Sequence, residues 1–127
     1  MMKQTIDALY TKLFYRDRPL FLFLCGAFAL HFLTWGALFF FFDTFRPQDT
    51  DYIALHYSTV IGTDFIARWE SIFLVPGLGT FLIVCNMLLG RQMMHVNKRL
   101  AHALALTALV GNGVLVYVFF LLYRINV

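Results

Sequence analysis

Leu20–Phe42 reads LFLFLCGAFALHFLTWGALFFFF, 23 residues without one charged side chain. A bilayer's hydrocarbon core is about 30 Å thick and a helix rises about 1.5 Å per residue, so about 20 apolar residues make one crossing. The stretch therefore predicts a membrane-spanning helix. Pro19 stands where a helix can start without losing a needed N–H. The run is too long for a signal-peptide core and carries no small-x-small cleavage site.

Composition agrees with that reading. Of 127 residues, 61% are hydrophobic, 18% aromatic and only 13% charged, against about 25% charged in an ordinary soluble domain. A solvated globular enzyme lacks the polar surface here, and a disordered chain lacks the necessary charge. Two further apolar runs follow. Residues 71–89 are uncharged but contain Pro76, Gly77 and Gly79, which predicts a kinked second span. Residues 100–123 form a third, with His102 as their one titratable imidazole.

Three spans and their connectors use up the chain as a single membrane domain. It divides into a cytoplasmic arm (1–19), the first span (20–42), an extracytoplasmic segment (43–70), the second span (71–89), a cytoplasmic turn (90–99), the third span (100–123) and a tail (124–127). The fold class expected is all-α: three transmembrane helices, a short N-terminal interfacial helix and a strand-like extracytoplasmic loop. Ile6, Leu9, Tyr10, Leu13 and Phe14 form the helical stripe behind the interfacial helix. Lys and Arg number seven in the arm and the 90–99 turn, against three in the 43–70 segment and tail. The positive-inside rule then puts the N-terminus in the cytoplasm and the C-terminus outside. A bacterial inner membrane is the expected location.

The 43–70 segment carries Asp43, Asp49, Asp51, Asp64 and Glu70 against Arg46 and Arg68. Inside it, Asp51–Ile61 (DYIALHYSTVI) alternates and is rich in β-branched and aromatic residues, which predicts a strand. Gly62 and Asp64 mark a turn, and 64–69 reads as an interfacial run into the second span. A lone strand is unstable, so it pairs within the chain, lies on the membrane, or joins a partner's sheet.

Polar residues inside lipid usually face protein or water. Counted from the cytoplasmic ends, His31 lies about 17 Å deep, Asn112 about 18 Å and Gly77–Thr80 about 14–18 Å. His31, Thr34, Thr80 and Asn112 thus form a candidate midplane cluster, either a proton relay or ligand site or interhelical glue worth about 0.6 kcal/mol per bond. Gly77, Gly79, Gly111 and Gly113 would allow close backbone approach. Ala103, Thr107 and Gly111, at i, i+4, i+8, predict a packing stripe, internal to the three-helix unit or made with a partner. Tyr52, Leu55, His56, Tyr57, Asp64 and Trp69 are the candidate partner contacts of the outer segment.

No cofactor or metal is expected. His102, about 3 Å deep, cannot share a haem iron with His31. Cys25 and Cys85 sit at similar depths but lack metal-ligand spacing. Asp49 and Asp51 lack the glycine-centred ladder of a Ca²⁺ loop. No phosphate-binding glycine loop, GxSxG or HExxH occurs. The basic clusters are accounted for by membrane topology, not nucleic acid.

Leu55-His56-Tyr57, Gly62, Asp64, Ile66 and Trp69, followed by Pro76 and Asn86 in a span, resemble a block in small bacterial multi-span membrane proteins. In these, LHY-x(4)-G-x-D-x-I-x(2)-W precedes a proline-containing helix. The resemblance covers about residues 52–90 and implies a membrane location but no activity. The function expected is that of a non-enzymatic subunit or assembly factor, with the lipid bilayer and other membrane proteins or further copies of itself as partners. The alternative is a small oligomeric transporter or channel built on His31 and Asn112.

Overall fold

The computed structural model describes residues 17–41 and 52–126, the side chains at 63 and 64 excepted. The expected interfacial helix, up to residue 16, and the acidic 43–51 stretch lie outside the described residues. Three helices are long and apolar enough to cross a membrane: α1 (Arg18–Phe40), α2 (Leu74–Met93), which a 3₁₀ turn (Trp69–Phe73) extends at its start, and α3 (Lys98–Asn126). A two-stranded antiparallel sheet, β1 (Tyr52–Ser58) with β2 (Gly62–Arg68), lies between α1 and the 3₁₀ turn in sequence.

Each helix starts on a local signal. Asp17 Oδ1 accepts from Leu20 N (3.3 Å) and Pro19 lies in the first turn of α1. Asn97 Oδ1 accepts from Arg99 N (3.0 Å) and Leu100 N (3.3 Å) ahead of α3. Between α2 and α3 the chain reverses over Met94–Asn97, so α1 and α3 run parallel and α2 antiparallel to both.

The buried positions step by four and three along every helix: Leu20, Leu24, Ala27, His31, Thr34, Leu38 on α1; Pro76, Gly79, Ile83, Asn86, Gly90 on α2; Ala101, Ala105, Ala108, Asn112, then Phe119 and Leu122 on α3. A 3.5-residue repeat keeps one seam facing its neighbours and gives left-handed supercoiled packing. The seams meet in layers. Leu20 and Leu24 pack on Ala101 and Ala105. Ala27, Ile83 and Ala108 come next, then His31, Gly79 and Asn112. Leu38, Ile72, Val75, Phe119 and Leu122 close the far end with Ile53 from β1.

This geometry moves the packing stripe of α3. Ala103 and Thr107 are exposed and Gly111 half-exposed, while Ala101, Ala105 and Ala108 fill the seam. Both series contain small residues at helical spacing; the seam is the one in step with the large residues of α1. Pro76 likewise does not kink the middle of a span. It is the third residue of α2, where its missing N–H removes no bond from the helix interior.

The sheet resolves the pairing of the 52–61 strand: its partner is the next segment of the same chain. The ladder runs Tyr52↔Arg68, Ile53↔Ala67, Ala54↔Ile66, His56↔Phe65, Tyr57↔Thr63 and Ser58↔Gly62, with the register shifting between Ala54 and His56 and back between His56 and Tyr57. Thr59–Ile61 make the loop. Gly62 has φ +84°, which closes a three-residue hairpin loop that a side chain at that position would strain. The expected turn at Gly62–Asp64 and interfacial run over 64–69 are therefore a second strand, which ends at Arg68. Helical structure also runs into the expected 90–99 turn, to Met93 and again from Lys98, and into the 124–127 tail, to Asn126.

Candidate functional site

The interior polar residues converge on one layer. His31 is 8% exposed and Asn112 is 1% exposed. Trp35 Nε1 donates to His31 Nε2 across one helical turn (3.1 Å), and Thr80 Oγ1 lies 3.2 Å from the same nitrogen. An indole N–H only donates, so Nε2 offers its lone pair and the neutral ring carries its hydrogen on Nδ1, an assignment made from the network. Nδ1 is buried without a hydrogen-bond partner among the described residues.

Gly79 is what lets this layer close. A Cβ built there would lie 2.7 Å from Asn112 Oδ1 and 2.9 Å from His31 Nδ1. Those distances are too short for a carbon, so any side chain at 79 forces the Asn112 and His31 side chains, or α2 itself, to give way. Three residues of the candidate midplane cluster, His31, Thr80 and Asn112, thus meet around Gly79. Thr34 is buried one turn further along and bonds only Leu30 O (3.0 Å).

Most of the seam's polar side chains are committed to their own helices. Thr80 Oγ1 donates to Pro76 O (3.1 Å), Asn86 Nδ2 to Leu82 O (2.8 Å) and Asn112 Nδ2 to Ala108 O (2.9 Å). Each reaches the carbonyl four residues earlier, the back-bonded form that satisfies a polar group in an apolar helix. The remaining glycines named from the sequence differ in role. Gly77 faces open space, Gly113 faces Leu30 (3.7 Å to the built Cβ), and Gly111 admits Leu82 (2.9 Å). Thr107 and Gly111 line a shallow apolar groove of about 370 Å³ with Leu82, Leu106 and Val110.

A second polar group, missed in the sequence, ties α1 to α3. Asp17, with 5% of its side chain exposed, meets Lys98 Nζ through Oδ2 (2.6 Å) and His102 Nε2 through Oδ1 (2.8 Å). Burial pushes its carboxyl up, but hydrogen bonds from Lys98, His102 and Leu20 N–H, with the His102 charge, overcome this and hold it at about 2, from 3.8. The carboxylate also faces the N-termini of two helices, the favourable end for an anion. Asp17 immediately before Arg18-Pro19 is an N-cap signal, and that was the legible clue.

At the other end, the hairpin is docked by an amide. Asn126 Oδ1 accepts from Ala54 N (2.9 Å), and its Nδ2 donates to Ala54 O (2.8 Å) and to Leu122 O (2.8 Å). The side chain occupies β1's outer edge as a neighbouring strand would. Leu55, His56 and Tyr57 line a groove of about 360 Å³ against Val118, Leu121, Leu122 and Ile125. Tyr52 is exposed, Trp69 packs its ring on Phe73 (centroids 6.2 Å apart), and the Asp64 side chain lies outside the described set. No known family, curated protein or solved structure matches the chain.

Proposed function

We propose that the chain is an integral membrane protein, its Asp17 end cytoplasmic and its hairpin extracytoplasmic, and that it serves as a non-enzymatic subunit or assembly factor of a membrane complex. The observation that carries this reading is the fate of the seam's polar groups. Thr34, Thr80, Asn86 and Asn112 each bond a carbonyl of their own helix four residues back. Such bonds satisfy each hydroxyl proton and one amide N–H inside its own helix, so these donors are not aimed along a path for a moving ion or at a reacting substrate. What the molecule presents outward is its lipid-facing helices and an apolar hairpin, and these are surfaces for association. Basic residues biased seven to three toward the ends joined by Asp17 and the 90–99 turn support the orientation.

Affinity purification in native lipid or mild detergent tests the proposal. A defined complex is expected; a chain that purifies alone as a monomer at native abundance overturns it. The alternative, an oligomeric transporter, draws support from one atom, the unpartnered Nδ1 of His31. It requires a pH-dependent flux in reconstituted vesicles that His31→Ala abolishes, and vesicles silent across pH 5–8 remove it.

A further inference from the structure

The two edges of the hairpin are not equivalent. Ala54 gives both its N–H and its C=O to Asn126, on the side away from β2. The pair Ala54↔Ile66 is therefore a non-hydrogen-bonded pair of the antiparallel ladder, and Ile66 also turns its N–H and C=O outward, on the opposite edge. Among the described residues nothing takes those two groups. The strand that bears them exposes two apolar side chains at its middle, Ile66 at 61% and Phe65 beside it. A two-stranded hairpin is marginal alone, and an open edge of this kind templates another strand.

Resting on the subunit reading above, we propose that the β2 edge pairs with β2 of a second copy of this chain, giving a four-stranded antiparallel sheet across a two-fold axis. The register follows from Ile66. Centring the pair there lets the two Ile66 residues exchange both N–H···O=C bonds, consuming every group the edge leaves open at that position. The same register sets position 64, an aspartate in the sequence, across from Arg68 of the second copy. The two positions carry opposite charges in the sequence, and the two-fold axis repeats the match on its other side. Arg68 already holds Glu70 at 2.8 Å, but a guanidinium has donors for both. The assembly also terminates itself. Its outer edges are the two β1 strands, each blunted by its own Asn126, so the pairing closes as a dimer instead of growing into a filament.

Cross-linking in native membranes tests this. In a Cys25→Ser/Cys85→Ser background, Ile66→Cys under copper-catalysed oxidation is expected to shift the chain from the monomer to the dimer band. Leu106→Cys, on the lipid-facing flank of α3, is expected to stay monomeric. Ile66→Pro removes an outward N–H without touching the internal ladder, so adding it to Phe65→Cys/Ala67→Cys, positions that face each other across the axis, is expected to lose the dimer that this pair gives, while Ala54 N–H stays protected from exchange. A photo-activatable residue at 66 separates the failures. An adduct with a different polypeptide and no homodimer overturns the second copy but leaves the subunit reading standing. A chain that gives neither dimer nor adduct overturns the edge pairing, and the subunit reading falls only if the chain also purifies alone.

Discussion

The two ends of the bundle are built on opposite principles. At the hairpin end Leu38, Ile72, Phe119 and Leu122 fill a wide core, capped by Ile53 and ringed by Trp35, Phe41 and Tyr123. At the Asp17 end the helices approach over Ala101 and Ala105, with Gly90 buried in the α2 seam, and a carboxylate, an ammonium and an imidazole fasten α1 to α3. In lipid no hydrophobic drive brings helices together, so contact quality decides. One end obtains it by interlocking large side chains and the other by letting backbones close in. Alanines line α3 at the Asp17 end, the narrow one in side-chain bulk, and larger side chains fill the hairpin end, where Ile53 of β1 packs into the core.

That contrast is breakable. Phe119→Ala should be the most damaging change, about 3–5 kcal/mol by the cavity rule, read as a loss of resistance to denaturing detergent. The narrow end should fail in the opposite sense. Ala105→Leu, which adds bulk, should cost about 1–3 kcal/mol, whereas the same substitution at exposed Ala103 should be silent. If Ala103→Leu proves the harmful one, α3 packs through the other stripe.

Asp17→Asn should cost about 1–2 kcal/mol, discounted because Lys98 is largely exposed, and it should do so with a pH signature. The folded carboxyl titrates at about 2 and the unfolded one at 3.8, so the folded form binds fewer protons between these values. The clasp's contribution is complete above pH 3.8 and disappears as pH falls toward 2. The wild-type chain should therefore lose stability across that window and Asp17→Asn should not. Smallest of all, Asn126→Leu should cost about 1 kcal/mol. It should appear mainly as faster amide exchange at Ala54, leaving the helical seam untouched.

The three helices and the first strand were legible because length without charge and strict alternation are strong signals. Depth counting also brought His31, Thr80 and Asn112 to one level, since α1 and α3 run in parallel register with no slip. Three features were not legible. The seam of α3 competes with a second small-residue stripe, and in lipid the polarity difference that marks a buried face in water is gone. The second strand begins at a glycine whose positive φ only the folded hairpin explains. Asp17 counted as one charge among several in a basic arm, although its place before Arg18-Pro19 marked a cap; that it also reaches Lys98 and His102 depends on contacts across 85 residues of chain.

The bond from Trp35 to His31 gives the molecule a built-in optical gauge. The chain has two tryptophans, and Trp69→Phe would leave the indole at 35 as the sole emitter, its N–H engaged by the central layer. Whatever pulls α2, with Gly79 and Thr80, away from His31, whether a substitution, a partner or a change of lipid, alters the surroundings of that bond and with them the emission. The interior layer can then be followed in an intact bilayer, with no label attached.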